Sequence, residues 1–233
     1  MKRIGIIAAL AGELKPLVQG WHASPFQRGV AYLQSTDDLE TIAVYAGMGR
    51  EAAARACMQA MEGGPLAALV SVGWAGALSP TVHTAHAYCV TDVVDALTGE
   101  RYTTEDHGLT GEQIKLVTAK RVIPRHEKSR FAEDFGASLV DMEAATVARL
   151  ARVRGIPFYC YKSVSDSVEE SLPDMNPFIS RDGHMDMGRF VASVLVRPQY
   201  WPGLVRMGKN SSRGAEALAR AVRTLQQAVQ SGI

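Results

Sequence analysis

Residues 3–9 read RIGIIAA, seven positions with nothing polar after the first. A strand with one wet face alternates polar and apolar side chains, so an unbroken apolar run marks a strand covered on both faces. Working outward, strand-like runs recur at 66–72, 87–94, 114–118, 138–141 and 158–164. A further pair, 30–35 and 40–45, is joined by the hairpin signal Thr36-Asp37-Asp38. Helix-forming stretches lie between them. They are 11–19, with Pro16 near its first turn, and the Ala-rich 50–62, stopped by Gly63-Gly64-Pro65. The others are 125–135, amphipathic and charged, and 142–154, ended by Gly155-Ile156-Pro157. Helices at 187–196 and 214–229 follow, with Pro198 and Pro202 breaking the region between them. Alternation of this kind predicts the α/β class: one α/β/α three-layer domain over 1–233 with a central mixed sheet, carrying a basic helical extension at about 187–233.

The chain has 233 residues, 47% of them apolar, enough for a sizeable core. The net charge of +1 argues against a nucleic-acid partner, but it averages two unlike parts. Residues 1–186 hold 18 basic and 23 acidic side chains; residues 187–233 hold seven basic and one acidic. No apolar run is long enough to span a bilayer. Residues 4–10 look only superficially like a secretion leader, because Glu13 and Lys15 stand where a cleavage site belongs. Cys57, Cys89 and Cys160 are far apart in apolar surroundings, as expected of reduced thiols in a cytoplasmic protein. No Cys/His spacing matches a zinc site, and His83 and His86 have no further ligand nearby, so no metal is expected.

Ligands of α/β sheets sit beyond the strand ends, which singles out the loops at 8–13, 47–50, 73–77, 141–143 and 163–166. Asp141-Met142-Glu143 opens a helix, where acids are ordinarily placed by the helix dipole. Glu143 could instead accept from two hydroxyls of a sugar diol. Asp166 ends a strand, as a loop cap or as a general acid at the mouth of a pocket. Glu13 alone reads as a surface acid. Gly47-x-Gly49-Arg50 before a helix is a tight turn, or an anion site of backbone N–H groups and a cation.

In chain order, residues 2–17 (KRIGIIAALAGELKPL), 46–54 (AGMGREAAA), 70–80 (VSVGWAGALSP), 140–150 (VDMEAATVARL) and 155–167 (GIPFYCYKSVSDS) resemble the superfamily of purine nucleoside phosphorylases and methylthioadenosine/S-adenosylhomocysteine nucleosidases. The resemblance implies a nucleoside phosphorylase-like fold, a homo-oligomer, and an enzyme that cleaves a purine N-glycosidic bond without a cofactor, phosphate being a co-substrate if the reaction is phosphorolysis. By the family's pattern Asp166 donates a proton to purine N7 and Ser165 orients it. Glu143 holds ribose hydroxyls and Met142 packs beneath the ribose. Glu13, in register after a one-residue insertion, positions and activates water. Val122 and Ile123 fall where the family contacts the base, and Trp74, Ala75 and Gly76 form the loop beside the substrate.

Two departures bear on the nucleophile. Trp74 stands where many relatives place a Ser or Thr, and it either fills core or walls an apolar ligand. Lys162 replaces an Arg, keeping the charge but losing the bidentate fork. Arg50 remains a candidate for phosphate, whereas Glu13 repels an anion, and the balance favours hydrolysis. The tail resembles the hopanoid-associated branch, which implies release of adenine from adenosylhopane. Tyr200, Trp201, Leu204, Val205 and Met207, flanked by Arg197, Arg206, Lys209 and Arg213, form either an interfacial segment over 196–213 touching the inner membrane or a packed helix pair. The rivals are a methylthioadenosine/S-adenosylhomocysteine nucleosidase, another purine nucleoside phosphorylase, and a nucleoside-binding protein without activity.

Overall fold

The computed structural model describes residues 1–26, 28–105 and 114–231. Strand β1 (Lys2–Ala8) runs parallel to β4 (Leu39–Tyr45) on one side and to β5 (Ala68–Ala77) on the other. Ile4, Ile6 and Ile7 are buried on alternating faces, as the unbroken apolar run requires. Outside β4 come the antiparallel strands β3 (Gly29–Ser35) and β2 (His22–Phe26). No strand was expected at 22–26. It is an exposed edge with little apolar signal, and Pro25 is tolerated there because an edge strand can spare an N–H. The helix expected over 11–19 shrinks to the single turn α1 (Ala11–Leu14).

The other half of the sheet curls. β6 (Ala87–Asp95) pairs with the short β7 (Arg101–Thr103) and with β8 (Ile114–Thr118), and β8 pairs with β9 (Leu139–Asp141). β10 (Phe158–Asp166) is parallel to β5 and antiparallel to β6, and β9 pairs back onto β5. Five strands, β5-β10-β6-β8-β9, therefore close on themselves within the mixed sheet. The closure draws together the ends of β5, β9 and β10. β5 runs on to Ala77, so Gly73-Trp74-Ala75-Gly76 is strand rather than the loop expected at 73–77.

Helices α2 (Arg50–Met61) and α4 (Ala144–Arg154) cover one face. Their small buried residues, Ala52, Ala56, Ala60, Ala144, Ala148 and Ala151, join one apolar cluster with the strands beneath. On the other face lies α6 (Trp201–Ser231), whose Leu218, Ala219, Val222 and Leu225 pack with Leu14, Leu17 and Val70. Each of the larger of these side chains contributes roughly 1.5–3 kcal/mol on burial. The last turns of the expected basic extension are thus part of the core layer. Helix α3 (Arg125–Phe135) matches its expected bounds, and α5 (Met187–Leu195) ends one residue short.

Helix α6 begins thirteen residues before the expected start at Gly214. Pro202 does not break the region, since the first turn of a helix has no use for its missing N–H. Gly214 is a helix-interior glycine for another reason. A Cβ there would lie 2.1 Å from Ser163 Oγ on β10, so only glycine lets the helix lie this close to the sheet.

Candidate active site

One cleft collects the ends of β1, β5, β9 and β10. Its lining includes Glu13, Trp74, Glu143, Ser165, Asp166 and Lys128. Met142, Ala75, Gly76, Val122 and Ile123 line it as well. Of the residues expected at the site, Arg50 and Lys162 do not line it.

Glu13 is turned inward just past β1 and is 5% exposed. Its Oε2 accepts from the backbone N–H groups of Ala9 and Leu10, each at 2.8 Å. Its Oε1 accepts from Trp74 N–H at 2.8 Å. Gly73 makes this approach feasible, because a Cβ there would lie 2.6 Å from Glu13 Oε1. Burial pushes the Glu13 carboxyl above its ordinary range, against those N–H groups and the positive charge of Lys162.

Glu143 is the residue just before α4, and Asp141, not Glu143, caps that helix by accepting from Ala144 N–H at 2.9 Å. Glu143 is left to face the cleft. Its Oε1 accepts from Gly49 N–H at 2.6 Å and its Oε2 from Met142 N–H at 3.2 Å. Burial first, and then the charge of Asp141, push its carboxyl up to about 7. In the Gly47–Gly49 turn, the Gly49 N–H thus serves a carboxylate of this chain.

Asp141 holds three partners. Besides the cap it accepts from Thr118 Oγ1 at 2.7 Å, and Lys162 Nζ lies 2.8 Å from its Oδ2. Lys162 is 1% exposed; burial opposes its charge, and Asp141 more than restores it, so its pKa is raised. It sits beneath the cleft as a counter-charge. Arg50, the other expected cation, bonds Asp95 through both terminal nitrogens, one at 2.7 Å. Its guanidinium is engaged away from the cleft.

At the end of β10, Ser165 Oγ donates to Asp166 Oδ1 at 2.6 Å, and Lys128 Nζ donates to Asp166 Oδ2 at 2.6 Å. Lys128 escaped the sequence reading. It occupies the inward stripe of α3 with Phe131, Ala132 and Phe135, and a lysine at such a position is the one signal that could have found it. Asn176 was also missed. Its carboxamide accepts from Val122 N–H at 2.9 Å and donates to Val122 C=O at 3.0 Å, tying the 170s segment to the cleft rim. Trp74 does two things: its indole lines the cleft, and its Nε1–H donates to Ser211 C=O of α6 at 2.9 Å.

Among the described residues, no three or more His, Cys, Asp or Glu side chains gather into a metal-holding group. No helix among them is long and apolar enough to cross a membrane. Cys57 and Cys160 are buried, and burial pushes both thiols up to about 12.

The fold is shared with solved nucleosidases. A 5′-methylthioadenosine/S-adenosylhomocysteine nucleosidase of Helicobacter pylori superposes with a TM-score of 0.73 at 15% identity, covering 99% of this chain and 98% of its own. The futalosine hydrolase of the same organism gives 0.73 at 15% identity over 97% of both chains. The 5′-methylthioadenosine nucleosidase of Arabidopsis thaliana gives 0.72 at 17% identity, covering 97% of this chain and 95% of its own. No curated protein sequence matches the chain. The sequence profile of the phosphorylase superfamily matches residues 3–125 and 112–195. With most of its 233 residues inside that match, the chain belongs to the phosphorylase superfamily.

Proposed function

We propose that the protein hydrolyses the N-glycosidic bond of a purine nucleoside and releases adenine from an adenosyl substrate, adenosylhopane in hopanoid lipid biosynthesis. The observation that carries this reading is the convergence of Asp166, Glu143 and Glu13, from three separate segments, on one cleft. Breaking the bond leaves an oxocarbenium-like sugar and a base that must be protonated. Asp166, steadied by Ser165, serves the base. Glu143 accepts from the ribose hydroxyls, with Met142 against the sugar. Glu13, its oxygens aimed by three backbone N–H groups, holds the attacking water.

Hydrolysis is favoured over phosphorolysis by the cations around the cleft. Arg121 pairs with Glu127, Arg125 with Glu169 and Lys128 with Asp166. Arg50 and Lys162 are paired outside it. A phosphate dianion would meet the carboxylates of Glu13, Glu143 and Asp166 and, among these five, no cation without a partner.

An apolar 5′ substituent is favoured by what adjoins the cleft. Met207 of α6 and Leu172 line it, and Leu172 lies beside Gly203 in the first turns of α6. Beyond them Met187, Val191, Leu195, Val196, Trp201 and Val205 are exposed, an apolar surface among the basic residues of the tail. This surface suits contact of 196–213 with the inner membrane by a cytoplasmic homo-oligomer. The test is adenine release from 5′-methylthioadenosine, S-adenosylhomocysteine and adenosylhopane, with and without phosphate. Faster turnover of the lipid substrate, independent of phosphate, is expected. Preference for the small thio-nucleosides would overturn the lipid assignment, strict phosphate dependence the hydrolytic one, and binding without turnover the enzymatic one.

A further inference from the structure

An acid that must protonate a leaving purine has to be supplied with a proton, and the hydrogen bonds made by Asp166 show where one can come from. Both of its oxygens accept, Oδ1 from Ser165 and Oδ2 from the Lys128 ammonium, each at 2.6 Å. The proton nearest the carboxylate on the Oδ2 side belongs to Lys128. That lysine is only 3% exposed, lies along the cleft, and is anchored by a second bond from Nζ to Ser167 C=O at 2.9 Å. On a helix otherwise packed through Phe131 and Phe135, this buried lysine directs its ammonium at the acid of the cleft.

We propose that the Lys128–Asp166 pair, rather than Asp166 alone, is the proton-donating unit, with the proton starting on Lys128 Nζ. This rests on the purine-cleavage reading. As the C1′–N9 bond breaks, its electron pair stays with the base. Asp166 Oδ2 takes a proton from Lys128 Nζ and passes that same proton to N7. Lys128 is left as a neutral amine. Water adds to C1′ as hydroxide, and its remaining proton leaves through Glu13 to solvent. When the base departs, Lys128 recovers its proton from solvent and the pair is reset. A primary amine can give up and regain a proton in this way, whereas a guanidinium in a protein does not.

The experiment compares two leaving groups in the full chain. Purine release is followed on whichever of 5′-methylthioadenosine, S-adenosylhomocysteine and adenosylhopane the unaltered protein cleaves fastest. 4-Nitrophenyl β-D-riboside supplies a leaving group that departs without protonation. Lys128→Met is expected to slow purine release by roughly 10²–10⁴-fold, the usual worth of general acid catalysis, and nitrophenolate release by less than about tenfold. Lys128→Arg, which keeps the charge, is expected to show the same split. Equal losses on both substrates would reduce Lys128 to a structural residue, and no loss on either would remove it from the reaction. Full activity of Lys128→Arg would show that charge, not a transferable proton, is what matters. If Lys128→Met does not fold, the arginine variant decides. Failure of the unaltered protein to release purine from any nucleoside would overturn the purine-cleavage reading; an active protein with an unsplit variant would overturn only this one.

Discussion

Glu13 and Glu143 are held by backbone N–H groups, whereas Asp166 is held by the side chains of Ser165 and Lys128. The difference separates two tasks. Backbone donors are placed by the fold itself, so the two glutamates are fixed acceptors suited to hydroxyls and water. They also bring no full charge, which leaves burial to push Glu143 up to about 7. Side-chain partners bring a charge and a hydroxyl that can move, which suits a group whose proton must travel.

The hardest test of that division is Asp166→Asn. It leaves an acceptor and loses the carboxyl, so adenine release should fall by roughly 10²–10⁴-fold while binding, measured by calorimetry, persists. Unchanged turnover would end the distinction between the two sets of acids.

Next in size is Lys162→Met. Asp141 would stay buried beside Glu143 without its counter-charge, at a cost of about 3–5 kcal/mol in stability. Chemical denaturation would measure it, and adding Asp141→Asn should recover most of the loss. An undiminished midpoint in the single variant would mean that the pair does not support the glutamate side.

A smaller effect, and one of opposite signs, concerns Glu143. Its carboxylate is the form that accepts two hydroxyls, so nucleoside affinity should weaken as pH falls through about 7. Stability should move the other way. Because the folded value lies above the ordinary 4.5, the fold favours the protonated form; its contribution is full below 4.5 and is lost as pH rises through about 7. Glu143→Gln should remove the share of both dependences that Glu143 carries and weaken substrate binding by about 1.5–3 kcal/mol, the range for hydrogen bonds to a charged group. A pH-independent affinity in the unaltered protein would contradict the role given to Glu143.

The smallest effect per residue belongs to the tail, which has neither kind of acid. Neutralising Arg197, Arg206, Lys209 and Arg213 should cost about 1 kcal/mol per charge in sedimentation with anionic vesicles and leave cleavage of small nucleosides unchanged. An intact protein that ignores vesicles would remove the membrane contact.

Legibility followed burial pattern. RIGIIAA could be read as a doubly covered strand because seven consecutive residues carry the signal, and Arg125–Phe135 could be bounded because its amphipathic period is complete. The edge strand His22–Phe26 could not, since exposed positions constrain composition little. Helix α6 starts thirteen residues before the expected Gly214 because Pro202, read as a breaker, falls in its first turn, where a proline is tolerated. At the site, Glu13, Glu143 and Asp166 were found by their motifs, and the cleft contains all three. The motifs also pointed to Arg50 and Lys162 as anion ligands, and nothing near either in sequence names Asp95 or Asp141 as its partner.

By itself, then, the sequence settled the alternation of strands and helices, the class of fold and the segments from which the acids come, because these depend on local periodicity and short motifs. Only the tertiary structure decided which cation meets which acid. Lys128 and Asp166 are 38 residues apart, and Glu13 meets Trp74 N–H across 61. Such pairings are set by the curling of β5 to β10 into a closed ring and by the burial that follows, and an interaction fixed by packing leaves little trace in either partner's own stretch of chain.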